Sequence, residues 1–470
     1  MVKLNVEFFS GEQRGFCKVS KNSTRIQVWV CRRITELMDK LKISGGRQLS
    51  GRVQIAGAKN ASLPLMAASL LTEQTLTLRN LPRVADISTM AQLLSQFGLN
   101  VSNETAFVEN ANEVGAPTSN IVRLNAKNLR NVRASYDLVR KMRASVLVLG
   151  PLLARLGYAS VSMPGGCAIG PRPVDLHVSG LKQLGAEISL RDGYIEASAP
   201  KGLTGGIVKL PIASVGATEN LMMAATLAKG DTVILNAACE PEVLDLAECL
   251  IKMGANIGGA GTSRIEISGV ASLCGGDHKV VSDRIEAGTY AIAAAITGGE
   301  LELLDARLDL MQSVAEMLAL AGVDLRNTPR GVRATCTTTG IKPLTIETEP
   351  YPGFPTDMQA QVMALLTLAN GVSFVTEKIF ENRFMHVNEL ARMGANINVE
   401  GNKAKVLGVK SLYGAQVMAT DLRASVSLLL AGLAAEGETV VNRVYHLDRG
   451  YELVVDKLAA CGAAVERFSE

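Results

Sequence analysis

A helix-like segment that ends in glycine and runs into a strand occurs six times along this chain of 470 residues. The six glycines are Gly98, Gly185, Gly254, Gly322, Gly394 and Gly462, spaced 87, 69, 68, 72 and 68 residues apart. A repeat of this period is one supersecondary unit that buries its apolar face only against its neighbours, so it dictates the architecture before any single residue does. Glycine after an apolar periodic segment marks a helix stop, because glycine enters the left-handed region cheaply. The long first interval contains a polar stretch, Asn103 to Asn120, which reads as an insertion.

A second helix recurs in the same register, from GAKNASLPLMAASLL in the first unit to TDLRASVSLLLAGLAA in the sixth. These helices are apolar on most faces and so should be buried. A short turn and an alternating strand follow each, as in GDTVILNA and GETVVNRVYH. An open solenoid would satisfy the repeat, but a helix that is apolar all round favours closure. The expected fold class is α/β, with three units around a pseudo-threefold axis, apolar helices inside and amphipathic helices outside against sheets. The chain is too long for one core, which seldom grows past about 250–300 residues, so two such domains are expected. Their boundary falls between repeats three and four, near Gly269 to Lys279. That puts repeats one to three in residues 59–266, and residues 38–58 with repeats four to six in 267–470.

Residues 1–37 look foreign to this pattern. They hold seven Lys and Arg against three Glu, and the only tryptophan, Trp29. They read as an extension outside the fold. Without them the formal charge of +3 becomes −1, which argues against a surface that coats nucleic acid. No uncharged apolar run nears the roughly 18 residues needed to span a bilayer, and Glu7, Glu12 and Arg14 break up any signal-peptide core. Eight scattered cysteines without a C-x-x-C pair, and four isolated histidines, suggest a reduced cytoplasmic protein with no metal site and no cofactor. Neither a Walker-type phosphate loop nor G-x-G-x-x-G occurs, so a bound nucleotide must be held another way.

Charged residues stand where a helix should not want them. Lys59, Arg143 and Arg423 open three of the apolar helices, although a helix N-terminus already carries partial positive charge. An anion bound there would offset the repulsion; the bland alternative is that each basic head reaches solvent. The stretch Pro164–Pro173 has three Gly and three Pro in ten residues, which excludes regular structure, and it carries Cys167 and Arg172. A loop thiol beside a cation can be reactive, or can have no role at all. Asp357 and Asp421 suit helix N-caps as well as they suit catalysis. Arg383 and Arg449, in turn-like sequence, read alone as solvated charges.

Eight segments, in order, carry a resemblance: GAKNA at 57–61, KMRAS at 141–145, PGGCAIGPRPVDLH at 164–177, SVGAT at 214–218, FPTDMQAQ at 354–361, FENRFMH at 380–386, ATDLRAS at 419–425 and HLDRGY at 446–451. From Met38 onward the chain resembles the UDP-N-acetylglucosamine enolpyruvyl transferases of the EPSP synthase-like family. The resemblance implies two inside-out α/β-prism domains with the active site in the cleft between them. It implies transfer of the enolpyruvyl group of phosphoenolpyruvate to the 3-hydroxyl of UDP-N-acetylglucosamine, with release of phosphate, at the first step of peptidoglycan precursor synthesis. Lys59 and Arg172 then resemble ligands of the donor phosphate and carboxylate, with Arg449 closing over them. Asn60 resembles a residue that orients the tetrahedral intermediate, Cys167 the proton donor on a lid loop, and Asp357 the base at the sugar hydroxyl. Arg143, Pro173, Val174, Asp175, Leu176, Ser214, Val215 and Ile379 resemble contacts to the UDP-sugar, and Arg383, Asp421 and Arg423 complete the expected site. Ile212 stands where some members carry a lysine. The readings that compete are a shikimate 3-phosphate enolpyruvyl transferase of the same fold, a weakly active paralogue and a non-enzymatic repeat scaffold.

Overall fold

The computed structural model describes residues 39–106, 119–163, 174–336 and 340–469. Its principal helices are α1 (Lys59–Ala68), α2 (Ala85–Gln96), α3 (Leu149–Leu156), α4 (Asp175–Gln183), α5 (Val215–Ala225), α6 (Pro241–Lys252), α7 (Arg284–Ile296), α8 (Gln312–Ala321), α9 (Gln359–Leu366), α10 (Val387–Arg392), α11 (Leu422–Ala434) and α12 (Val454–Ala460). Odd-numbered helices are the apolar ones. In α7 every residue from Ile285 to Ile296 is buried, and in α11 every residue from Arg423 to Leu433. Even-numbered helices show water one face: α2 buries Asp86, Ile87, Met90, Leu93 and Leu94 at the spacing of a single helical stripe.

Each even-numbered helix ends at one of the six repeat glycines, and all six are left-handed, with φ between 88° and 103°. An L side chain pays about 1–2 kcal/mol to adopt that conformation. The glycines thus fix where each outer helix turns back into its strand.

Among the described residues, six four-stranded sheets surround the helices. Each has one parallel and two antiparallel pairs, as in Ile207–Lys209, Asp231–Leu235, Arg264–Ser268 and Asn256–Gly258 in spatial order. The central strands alternate buried and open residues, so one sheet face seals the core. The Asn103 to Asn120 stretch expected as an insertion puts twelve residues, 107–118, between strands that two residues join in other units. Its ends lie in strands Asn100–Ala106 and Ser119–Asn125, which pair from Asn100 with Asn125 to Ala106 with Ser119.

Two apolar cores result. One runs from Ala58 to Val280; the other takes Leu41 to Ile55 and Ile285 to Ala463. In the second, α7, α9 and α11 all pack on one another, and in the first, α1, α5 and the 143–156 segment do the same. The repeats are therefore closed rather than stacked. The first strand, Asp39–Ser44, is the third strand of the last sheet, between Glu438–Asn442 and Ala464–Ser469, so the start of the fold completes the sixth unit. The division expected at 266/267 differs from the observed path. Gly276–Lys279 pairs in parallel with Thr75–Arg79 and supplies the edge of the first unit's sheet, so the chain stays with the first core to Val280.

The two crossings between the cores meet. Gly57 bridges Ser282, the Ala58 amide donates to the Val281 carbonyl at 2.7 Å, and the Asp283 amide donates to the Ala56 carbonyl at 2.9 Å. The Asp283 carboxylate caps α7 through the amides of Ile285 and Glu286 and also accepts from the Lys59 amide at 3.2 Å. One side chain thus fixes the first residue of α1 to the start of α7. Glu286 accepts from the Ala56 amide and from Lys457, both at 2.7 Å, and secures the other side of the ribbon.

Open space surrounds Gly254, whereas a Cβ on Gly98 would lie 2.6 Å from the Asn128 carbonyl oxygen. Gly254→Ala should therefore cost about 1–2 kcal/mol from backbone strain alone, and Gly98→Ala clearly more. Urea unfolding of both variants measures the difference.

Candidate active site in the interlobe cleft

Two carboxylates organise the space between the cores. Asp86, in the first turn of α2, is buried and faces two cations. Arg449 Nε is 2.9 Å from its Oδ1, and Lys59 Nζ is 3.5 Å from its Oδ2. Lys59 is the first residue of α1, and Arg449 ends the 3-10 turn Val444–Arg449. The Asp86–Arg449 ion pair crosses from one core to the other.

Asp357 sits in the 3-10 turn Thr356–Met358 that leads into α9. Its side chain caps nothing, contrary to the bland expectation. Arg383 Nη2 donates to Oδ1 at 2.6 Å and Arg423 Nη2 to Oδ2 at 2.7 Å, while Asn60 Nδ2 approaches Oδ2 at 3.5 Å from the opposite core. Arg383 and Arg423 are only 5% and 6% exposed, so Arg383 is no solvated charge. Burial would raise the Asp357 pKa, but Arg423 and Arg383 outweigh it and hold the carboxyl well below the usual carboxylate range. For Lys59, burial lowers the pKa, and nearby Arg423 and Arg449 add to that against the pull of Asp86 and Asp357.

Two of the three misplaced cations of the sequence, Lys59 and Arg423, are thus compensated by carboxylates of the chain itself. Asp421 is a cap: its side chain accepts from the amides of Arg423 and Ala424. Lys59 is offset by Asp86 beside it and Asp283 beneath its amide. Arg423 is offset by Asp357.

The remaining candidates form a second group on the first core. Arg143 opens the 3-10 turn Arg143–Val148, which packs on α1. Val174 is buried and immediately precedes α4, where Asp175 is exposed and Leu176 partly covered. Ser214 caps α5 by accepting from the Ala217 amide, and Val215 is the first residue of that helix. Buried His177 joins these pieces. Its Nδ1 lies 3.0 Å from Asn220 Nδ2, and Asn220 in turn accepts from the Gly150 amide. Burial and the charge of Arg143 lower the His177 pKa to about 4, so the ring is a neutral strut. Ile379 belongs to the other core, with its amide bonded to Glu377. Cys167, Arg172 and Pro173 lie outside the described residues.

The sequence reading missed Asp86 entirely. An acid in the first turn of an outer helix is ordinary on electrostatic grounds, and nothing local sets it apart. It also missed Asp283 and the Tyr451–Gln361 pair described below. Among the described residues no cluster of His, Cys, Asp or Glu could hold a metal ion, and no helix is long and apolar enough to cross a membrane.

Comparisons with known proteins agree with this architecture. The sequence profile of the EPSP synthase family (3-phosphoshikimate 1-carboxyvinyltransferase) matches residues 43–458. A Rhodospirillum centenum protein named UDP-N-acetylglucosamine 1-carboxyvinyltransferase is 60% identical over 434 residues, covering 92% of this chain and all of the relative. A protein of the same name from Paramagnetospirillum magneticum is also 60% identical, over 92% of this chain and 99% of its own length. Among solved structures, the enolpyruvyl transferase NikO from Streptomyces tendae superposes with a TM-score of 0.80 at 23% identity, covering 92% of this chain and 99% of that one. EPSP synthase from Acinetobacter baumannii gives 0.69 at 17% identity, with 92% and 100% covered. At such identities the structures speak for the fold alone.

The folded pKa of Asp357 lies below its unfolded value. Its stabilisation is therefore fully present above roughly pH 4 and is lost only as the pH falls further. Asp357→Asn leaves two buried arginines without a counter-charge and should cost about 3 kcal/mol at neutral pH. Unfolding experiments from pH 7 to pH 3 should show a gap between variant and wild type that is constant down to roughly pH 4 and only begins to narrow below it.

Proposed function

The chain belongs to the EPSP synthase family of enolpyruvyl transferases, and within that family we propose that it is a UDP-N-acetylglucosamine 1-carboxyvinyltransferase. The observation that carries this reading is the 60% identity, over essentially their whole length, to relatives of that name. The step supplies a peptidoglycan precursor, and we place the enzyme in the cytoplasm, acting on two small molecules without a cofactor.

The reaction joins an alcohol to an enol phosphate. The 3-hydroxyl oxygen of the sugar attacks C2 of phosphoenolpyruvate while C3 takes a proton, giving an intermediate that bears phosphate and carboxylate on one carbon. Loss of phosphate from C2 and of a proton from the new methyl group then forms the enol ether. A carbon carrying two anionic groups calls for several fixed cations, and an acid and a base are required at opposite ends of the attack. Lys59, Arg449 and, by resemblance, Arg172 are the cations. In the free protein Asp86 holds two of them together, and the donor's phosphate and carboxylate take its place when they bind. Cys167 is assigned, by resemblance, as the acid. Asn60 and Asp357 meet at 3.5 Å from opposite cores, and the acceptor hydroxyl is assigned to that junction. A carboxylate carrying two arginines is a weak base. Asp357 therefore gains basicity only when the substrate loosens one of those contacts. The group around Arg143, Val174 to Leu176, Ser214 and Val215 is assigned to the UDP moiety, and Arg172, Pro173 and Ile379 are added to it by resemblance.

Phosphate release is measured with phosphoenolpyruvate and either UDP-N-acetylglucosamine or shikimate 3-phosphate. Turnover with the first acceptor alone is expected; turnover with the second alone would reassign the enzyme, and none with either would reject the reading. Lys59→Ala should raise KM for phosphoenolpyruvate more than for the sugar nucleotide; equal effects contradict its assignment. Cys167→Asp should retain some turnover, since a carboxylic acid still donates a proton. It should also abolish covalent inactivation by an epoxide of the fosfomycin type, and continued inactivation would remove Cys167 from the mechanism.

A further inference from the structure

Tyr451 lies two residues after Arg449 and is 3% exposed, with its ring under the Arg423 guanidinium at 5.9 Å. Its hydroxyl meets one side chain from each inner helix of the second core. Arg423 Nη1, from α11, is 3.2 Å away; Gln361 Nε2, from α9, is 3.3 Å away; Thr289 Oγ1, from α7, is 3.0 Å away. The directions of these bonds can be worked out. The Thr289 hydroxyl already donates to the Ile285 carbonyl at 2.7 Å, so the Tyr451 hydroxyl donates to Thr289. Its oxygen accepts from Arg423, and it shares the second Gln361 amide hydrogen with Thr289 Oγ1, each at 3.3 Å. One phenol oxygen thus meets all three inner helices.

Both partners that donate to Tyr451 also reach Asp357. Arg423 gives its other amino group to the carboxylate at 2.7 Å, and Gln361 donates to the Asp357 carbonyl at 2.8 Å. The phenol fixes the plane of a guanidinium that would otherwise pivot about its bond to Asp357. Resting on the function proposed above, we infer that Tyr451 is a positioning residue: it sets the Arg423 guanidinium, and through it Asp357, relative to the turn that carries Arg449. The end of the site that receives the acceptor hydroxyl and the end that grips the donor anion are thereby held in one register. This role is distinct from that of Arg423 or Asp357, because Tyr451 is buried behind them. An orientation error of this kind lowers the rate of a correctly bound complex rather than its affinity.

The test is Tyr451→Phe, alone and combined with Arg423→Lys. Tyr451→Phe should lower kcat about tenfold, with both KM values changed less than about twofold. In the Arg423→Lys background, where no fork remains to orient, it should cost less than about twofold. A second signature comes from Asp357, whose charged neighbours are Arg423, Arg383, Lys59 and, further off, Arg284. A guanidinium free to drift depresses Asp357 less, so the acid limb of kcat should move to higher pH in Tyr451→Phe. Thr367→Val, which removes a buried hydrogen bond to Ala364 at the far end of α9, controls for loss of stability and should leave kcat and the pH profile alone. An unchanged kcat in Tyr451→Phe, a full tenfold loss persisting beside Arg423→Lys, or the same kinetic change in Thr367→Val would each overturn the inference. A wild-type chain that turns over neither acceptor fails the function reading; a Tyr451→Phe chain that equals an active wild type fails this inference alone.

Discussion

Asp357 between Arg383 and Arg423 is the interaction on which the cleft depends. Three charges that would each be costly to bury alone become tolerable together, because each oxygen of the carboxylate meets one guanidinium at hydrogen-bond distance. That arrangement leaves one net positive charge beside the cleft. Asp86 repeats the pattern with Lys59 and Arg449. The free protein thus keeps a net positive charge at both clusters, yet each of these cations has a carboxylate beside it. An incoming anion competes with a carboxylate already in place, so it gains from cations that are prearranged without requiring them to stand bare.

The balance spans both cores, and the backbone explains how it stays in register. The two crossings pair as a short antiparallel ribbon, and Asp283 ties the α1 amide of Lys59 to the cap of α7. Lys59, on the first core, is therefore tied to the second core twice, by its amide to Asp283 and through Asp86 to Arg449. Two further ion pairs, Arg284 with Glu242 and Arg83 with Glu452, also join residues of different cores. Burial makes the first the stronger of these, since its partners are 10% and 5% exposed whereas Arg83 is 37% exposed and screened by water.

The sequence by itself determined the repeat and most of its consequences. Six glycines at nearly constant spacing can end six outer helices only in the left-handed conformation, and all six do. Helices apolar on every side had to be enclosed, and two closed groups of three enclose them. These features were legible because they are local or periodic. The tertiary structure alone decided which charges meet. Asp86 precedes Arg449 by 363 residues, and Asn60 precedes Asp357 by 297, so no window of sequence contains either pair. The first strand reads as a strand from its own pattern, but its place inside the last sheet is a matter of closure. Arg383 looks like a surface charge in FENRF, and it is buried only because another helix turn brings Asp357 to it. The physical reason is the same in each case. Propensity and periodicity act over a few residues, whereas an ion pair is worth most between groups that folding removes from water together, however far apart they lie in the chain.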